Sequence, residues 1–156
     1  MTASPTEGTL APDFSLPVDG GGTVSLADLK GRKVAIYFYP KADTPGCTKE
    51  SMDFSRLKPE FERANTTVIG VSADAVAAQD KFKAKHALTV PLASDPDRAM
   101  IERYGVWVEK TMYGKTFMGI ERATFLVDEK GLIRKVWHNV KVDGHAEEVL
   151  SAAKAL

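Results

Sequence analysis

The spacing of hydrophobic positions changes several times along the chain. Residues 34–39, Val-Ala-Ile-Tyr-Phe-Tyr, form an unbroken apolar run of β-branched and aromatic residues, which predicts a strand buried on both faces. The run enters the turn-forming stretch Pro40-Lys-Ala-Asp-Thr-Pro-Gly-Cys47. From there apolar or small residues recur at 47, 51, 54, 57 and 61, the spacing of a helix with one inward face. Thr44 suits the N-cap and Pro45 the first helical position, where a missing N–H costs nothing. Pro59 lies inside this helix, removes a hydrogen bond and opposes the carbonyl of Ser55, so a kink or break is expected near it.

The alternation continues downstream. Residues 67–72 predict a second buried strand, and Asp74 is placed to cap a helix reaching about His86 with Ala75, Ala78 and Phe82 inward. Residues 90–93 suggest a short strand. Asp95-Pro96 suggests the start of a helix that Gly105 ends after Tyr104. Residues 123–127 and 132–137 read as strands joined across Asp128-Glu-Lys-Gly131, and Ala146, Val149, Leu150 and Ala153 mark a closing helix. Near the start, residues 8–16 and 23–26 flank Asp19-Gly-Gly-Gly22, which suggests a β-hairpin, followed by one helical turn over 26–29. Residues 106–120 are less periodic and fit an irregular loop, a hairpin or an apolar contact surface.

This order predicts an α/β fold with a central mixed β-sheet flanked by helices, its last strand pair antiparallel. With 156 residues the chain is expected to form one domain, 1–156, with residues 1–8 as a flexible tail. Lysine plus arginine equal aspartate plus glutamate at 21 each, with the signs interspersed, so neither nucleic acid nor an anionic membrane is an expected partner. The first residues lack a basic and then apolar leader, and the expected location is cytoplasmic. The three histidines have no cysteine at ligand spacing, and neither a metal nor a cofactor is expected.

The candidate chemistry sits at the single cysteine. Cys47 falls in the first turn of its predicted helix, beyond the carboxyl end of a central strand, where open α/β sheets place their sites. Free N–H groups and the positive end of the helix dipole favour the thiolate there. Thiolate character alone gives little acceleration, because nucleophilicity falls as the thiol becomes more acidic, with a Brønsted slope of about 0.4–0.5. Efficient attack on a peroxide also needs donors on both oxygens and a fixed cation. Thr44 and the amides of Gly46 and Cys47 can supply donors, whereas the turn itself contains no arginine. Taken alone, Thr44 is equally a helix cap, Pro40 a turn residue, Glu50 a first-turn acid favoured by the dipole, and Arg122 a surface charge.

The stretch Pro40-x-x-x-Thr44-x-x-Cys47 resembles the active-site motif of the peroxiredoxins. The longer Phe38-Tyr-Pro-Lys-Ala-Asp-Thr-Pro-Gly-Cys-Thr-Lys-Glu50 is similar to their Q, or bacterioferritin comigratory protein, branch. Ala11-Pro-Asp-Phe-Ser-Leu16, Gly119-Ile-Glu-Arg-Ala-Thr-Phe-Leu-Val-Asp128 and Val140-Lys-Val-Asp-Gly-His145 extend the resemblance over most of the chain. The resemblance implies a thioredoxin-like fold and reduction of hydrogen peroxide and organic hydroperoxides. By position, it implies that Cys47 is the peroxidatic nucleophile, Thr44 binds the peroxide, Pro40 shields the site, Arg122 supplies the guanidinium and Glu50 orients Arg122.

The chain departs from the branch in one respect. Many of its members carry a resolving cysteine five positions after the peroxidatic one or on the following helix, and those places hold Met52 and Lys83 here. The expected reductant is therefore an external thiol, namely thioredoxin, a glutaredoxin or glutathione, acting on a monomer or weak dimer. Two rivals stand beside this reading. A thiol-disulfide oxidoreductase would normally carry C-x-x-C, where this chain has Thr44. A peroxide-sensing switch would oxidise once and pass the signal to a bound protein.

Overall fold

The computed structural model of the protein describes residues 3–156. In chain order the elements are β1 (Ser15–Pro17), β2 (Thr23–Ser25), β3 (Lys33–Phe38), α1 (Pro45–Arg63), β4 (Thr66–Ser72), α2 (Val76–His86), β5 (Leu92–Ser94), α3 (Ala99–Arg103), β6 (Trp107–Met112), β7 (Lys115–Ile120), β8 (Ala123–Val127), β9 (Ile133–Trp137) and α4 (His145–Lys154). The central sheet has the order β5-β4-β3-β8-β9. β3 is parallel to β4 and antiparallel to β8, so the sheet is mixed, as the sequence predicts. β1 and β2 form the expected N-terminal hairpin.

The apolar run at 34–39 is buried on both sides because it feeds two cores alternately. Val34, Ile36 and Phe38 pack with Met100, Ile101 and Phe125, while Ala35, Tyr37 and Tyr39 pack with Phe54, Phe82 and Val149. Helices α1, α2 and α4 therefore cover one face of the sheet; α3 and the N-terminal segments cover the other. The α1 positions expected to point inward, 47, 51, 54, 57 and 61, are all buried, and Glu50 joins them. Truncating a ring such as Phe54 would cost about 3–5 kcal/mol.

Several local expectations are corrected. Helix α1 runs unbroken through Pro59. The Ser55 carbonyl that loses its helical donor accepts the Thr89 hydroxyl at 3.3 Å, while Ser55 Oγ accepts the Thr89 N–H at 3.0 Å. The proline's missing bond is thus replaced from outside the helix. Ala75 caps α2 without a side-chain bond, and its buried residues are Gln79 and Phe82, with Ala75 exposed. The helix expected from Asp95 shrinks to Ala99–Arg103, since Arg98 adopts a left-handed φ of 63° and Asp95 Oδ2 accepts from the Ile101 amide at 2.8 Å. Residues 106–120 resolve into the β6–β7 hairpin, turned by Tyr113 and Gly114, both at positive φ.

Of the segment expected to be a tail, Met1 and Thr2 lie outside the described residues. From Ala3 onward it touches the body: Ser4 Oγ donates to the Tyr104 carbonyl at 3.0 Å, and the Gly8 amide to the Ile133 carbonyl at 2.8 Å.

Candidate active site

Local sequence fixes the placement of Cys47. Thr44 is extended (φ −98°, ψ 155°) at the N-cap of α1, and Pro45 opens the helix. The first backbone bond of the turn runs from the Thr48 amide to the Thr44 carbonyl at 2.8 Å, which leaves the Gly46 and Cys47 amides as donors with no acceptor outside the helix among the described residues. Cys47 itself is only 1% exposed. One helical turn further on, Ser51 Oγ lies 2.8 Å from the Tyr37 hydroxyl and so ties α1 to β3. The Tyr37 ring lies across Gly70 on β4, where an added Cβ would come within 2.6 Å of it; a glycine is required there.

Sheet register delivers the distant arginine. Phe38, the last residue of β3, pairs with Ala123, the first of β8. Arg122 therefore enters the sheet at the edge where β3 releases the 40–47 turn. Its Nη2 donates to Cys47 Sγ at 3.3 Å and its Nη1 to Glu50 Oε1 at 2.7 Å. A Cβ on Gly46 would stand 3.1 Å from Nη2, so a small residue at 46 gives the guanidinium room.

The electrostatics of this triad are set by burial against pairing. Burial pushes the Glu50 carboxyl from its ordinary 4.5 up to about 7, with Arg122 opposing the rise by charge and hydrogen bond. Glu50 Oε2 is buried with no partner among the described residues. For Arg122, burial works against the charge, but Glu50 and Cys47 together hold it above its ordinary value.

The structure thus brings together Cys47, Arg122, Glu50 and Gly46. Thr44 and Pro40 are half-buried on the same turn. The Thr44 hydroxyl makes no cap bond and instead donates to the Lys41 carbonyl at 2.8 Å, which leaves its oxygen lone pairs free to accept.

Two neighbours escaped the sequence reading. Asp74, expected as a cap for α2, holds the 40–47 turn by accepting the Ala42 amide at 2.8 Å. Its place just beyond β4, at the carboxyl edge of the sheet, is the signal that could have found it. Lys110 on β6 is the other: burial lowers its pKa, as does the charge of Arg122, while Cys47 pulls it upward. Nothing in the irregular periodicity of 106–120 marks it.

The AhpC/TSA family model matches residues 8–136. The chain belongs to the AhpC/TSA family of peroxiredoxins. A putative peroxiredoxin bcp of Coxiella burnetii is 52% identical over 143 residues, covering 92% of this chain and 95% of that protein. Peroxiredoxin Bcp of Bacillus subtilis is 44% identical, covering 94% of each. Among solved structures, a cysteine-to-serine mutant of Xylella fastidiosa PrxQ superposes with a TM-score of 0.92 at 41% identity, over 99% of this chain and 98% of that one. Peroxiredoxin Q of Xanthomonas campestris has been solved as serine mutants of two different cysteines, with a TM-score of 0.87 at 46% identity over 91% of this chain and 90% of that one. This peroxiredoxin, by contrast, has a single cysteine. Its fold is the thioredoxin-like fold of those neighbours. As a Bcp/PrxQ peroxiredoxin it is a thiol-dependent peroxidase, with a peroxide as substrate and a thiol or thioredoxin-type reductant.

Proposed function

We propose that this peroxiredoxin follows a one-cysteine cycle with Cys47 as its nucleophile. The observation that carries the reading is the contact of 3.3 Å between Arg122 Nη2 and Cys47 Sγ, made by a guanidinium that Glu50 braces from its other side. The sulfur attacks the nearer peroxide oxygen, forming an S–O bond as the O–O bond breaks. The departing oxygen leaves as alkoxide or hydroxide and takes up a proton, and Cys47 is left as a sulfenic acid. Charge moves from sulfur to the leaving oxygen, so the donors that matter are those facing both atoms. Arg122 and the amides of Gly46 and Cys47 serve this role, and Thr44, already donating to Lys41, accepts from the peroxide hydroxyl. Pro40 shields the thiol, which is consistent with the 1% exposure of Cys47.

The second half of the cycle belongs to another molecule. With no other cysteine in the 156 residues, an external thiol condenses with the sulfenic acid, releasing water and forming a mixed disulfide. A second thiol then restores Cys47. The position of a possible thiol on α2 is taken by Lys83, whose Nζ pairs with Asp19 Oδ2 at 2.6 Å.

The test is to treat the reduced protein with equimolar hydrogen peroxide, map the modified residue by peptide mass, and then offer glutathione, glutaredoxin and thioredoxin separately. The expected product carries one added oxygen at Cys47 and is reduced again by at least one of the three. A folded protein with an unmodified Cys47 would sink the proposal.

A further inference from the structure

Residues on either side of Pro40 and Lys41 are held by one polar network, buried at Tyr39, Ser72 and Gln79 and partly buried at Asp74, and that network reaches the reacting centre. Before the pair, the Tyr39 hydroxyl donates to Gln79 Oε1 at 2.6 Å. After it, the Ala42 amide donates to Asp74 Oδ2 at 2.8 Å. The two anchors are joined inside the protein. Ser72 Oγ donates to the same Asp74 oxygen at 2.7 Å, and Gln79 Nε2 donates to Ser72 Oγ at 2.9 Å and to the Ala93 carbonyl at 3.1 Å. Gln79, Ser72 and Tyr39 are all buried. The Tyr39–Gln79–Ser72 part of the network is rigid because breaking any one of its bonds strands a buried polar group, and it fixes the partly buried Asp74 at its outer end.

The backbone between the anchors performs one task in the site: the Lys41 carbonyl accepts the Thr44 hydroxyl at 2.8 Å. That bond fixes where the lone pairs of Thr44 point. We propose that Asp74, joined through Ser72 to Gln79, is a positioning residue that sets the Lys41 carbonyl and through it the Thr44 hydroxyl that receives the peroxide. The inference rests on the reading of Cys47 and Thr44 given above. Asp43, at φ 61° in the same turn, adds an outer tie, its carboxylate lying 2.9 Å from Lys85 Nζ and 2.8 Å from His86 Nε2. That tie is solvent-exposed and adds little to the rigidity of the buried one.

Arg122 does not belong to this network, which makes the inference separable from general damage. Loss of Asp74 should misplace Thr44 while leaving the cysteine and guanidinium where they are. Two rates report the two cases: oxidation of Cys47 by hydrogen peroxide, which needs Thr44, and alkylation of Cys47 by iodoacetamide, which does not.

For Asp74→Ala the expected result is a loss of roughly ten- to hundredfold in the oxidation rate, with alkylation within about twofold of wild type. Asp74→Asn retains an acceptor oxygen and should recover most of the rate. In a Thr44→Val background Asp74→Ala should add little, since both changes remove the same contact. Should Asp74→Ala fail to fold, Gln79→Met carries the same comparison. Parallel losses in oxidation and alkylation, unchanged oxidation, or additive losses in the double variant would each overturn the inference. Failure of the underlying reading shows elsewhere: in wild type as an unoxidised Cys47, or in Thr44→Val alone as an unchanged oxidation rate.

Discussion

Helices α1 and α2 both meet the 40–47 turn, α1 by starting from it and α2 through Lys85 and His86 on Asp43, and they contribute different things to it. α1 is 19 residues long, buries six side chains and places Cys47 and Glu50 on the face that meets Arg122. α2 is 11 residues long and buries only Gln79 and Phe82. Its further links to its surroundings include polar ones, through Asp80 to the Gly20 amide, through Lys83 to Asp19, and through Lys85 and His86 to Asp43. On the proposed reading the chemistry is concentrated on α1 and its arginine, and α2 is a support. The resemblance to the Q branch implies that a helix like α2 can also carry a resolving cysteine. Here it carries none, and the comparison teaches that reaction and support have been separated between the two helices.

The largest effect expected from breaking this division is at Arg122. Arg122→Ala should slow Cys47 oxidation by about 10²–10³-fold, the cost of losing a transition-state donor, measured by stopped-flow oxidation under single turnover. A loss that matched the change in alkylation rate would place Arg122 in the ground state only.

The next effect lies where α4 supports α1. His145 stacks edge-on against Phe54 of α1, and its Nε2 lies 2.8 Å from Thr124 Oγ1. Burial lowers its pKa from the ordinary 6.5 to about 4, Glu148 opposing and the Arg122 charge adding to the fall. The unfolded chain therefore takes up a proton below pH 6.5 that the folded protein refuses until about 4. The stabilisation is complete above the first value and is lost as pH falls toward the second, by at most roughly 3 kcal/mol. Urea midpoints of wild type and His145→Phe across that interval should converge toward acid pH; parallel curves would contradict the assignment.

Glu50 has the opposite sign. Its raised pKa favours the folded state below about 4.5, and that advantage disappears as pH rises toward about 7. Near neutral pH the same titration strengthens its grip on Arg122. The oxidation rate of wild type should accordingly show an inflection near pH 7 that Glu50→Gln removes, with a change of only a few-fold in rate, about 1 kcal/mol.

The smallest effect is expected on α2. Lys83→Ala breaks a partly exposed ion pair, so it should lower stability by less than about 1 kcal/mol and leave the oxidation rate unchanged. A large loss of activity would mean that α2 does more than support the turn.

Much of this division was legible in the sequence, and the parts that were not share a physical cause. The strand at 34–39, the first-turn proline at 45 and the inward positions of α1 follow from local rules, and they appear in the fold almost as written; Thr44 holds the N-cap position, but its hydroxyl turns to the Lys41 carbonyl. Arg122 could be assigned only through the resemblance, because nothing local distinguishes it from other arginines; the Phe38–Ala123 register that brings it to Cys47 is a tertiary fact. Pro59 misled for the same reason, since the donor that replaces its N–H comes from Thr89. Asp74 looked like a cap because its local sequence fits one, but the Ala42 amide of a distant turn claims its carboxylate. The β6–β7 hairpin was one of three readings left open for 106–120, because its Tyr113-Gly114 turn puts a tyrosine in a left-handed position that sequence rules reserve for glycine or asparagine.

The separation of reaction from support is tested most directly by counting peroxide consumed per protein. With a small excess of hydrogen peroxide and no added thiol, the fast phase should end after one equivalent, with Cys47 as the oxidised residue and only slow further oxidation of that same sulfur behind it, and rapid consumption should resume only when an external thiol is supplied. Continued turnover without thiol, or one equivalent consumed at a residue other than Cys47, would contradict the account.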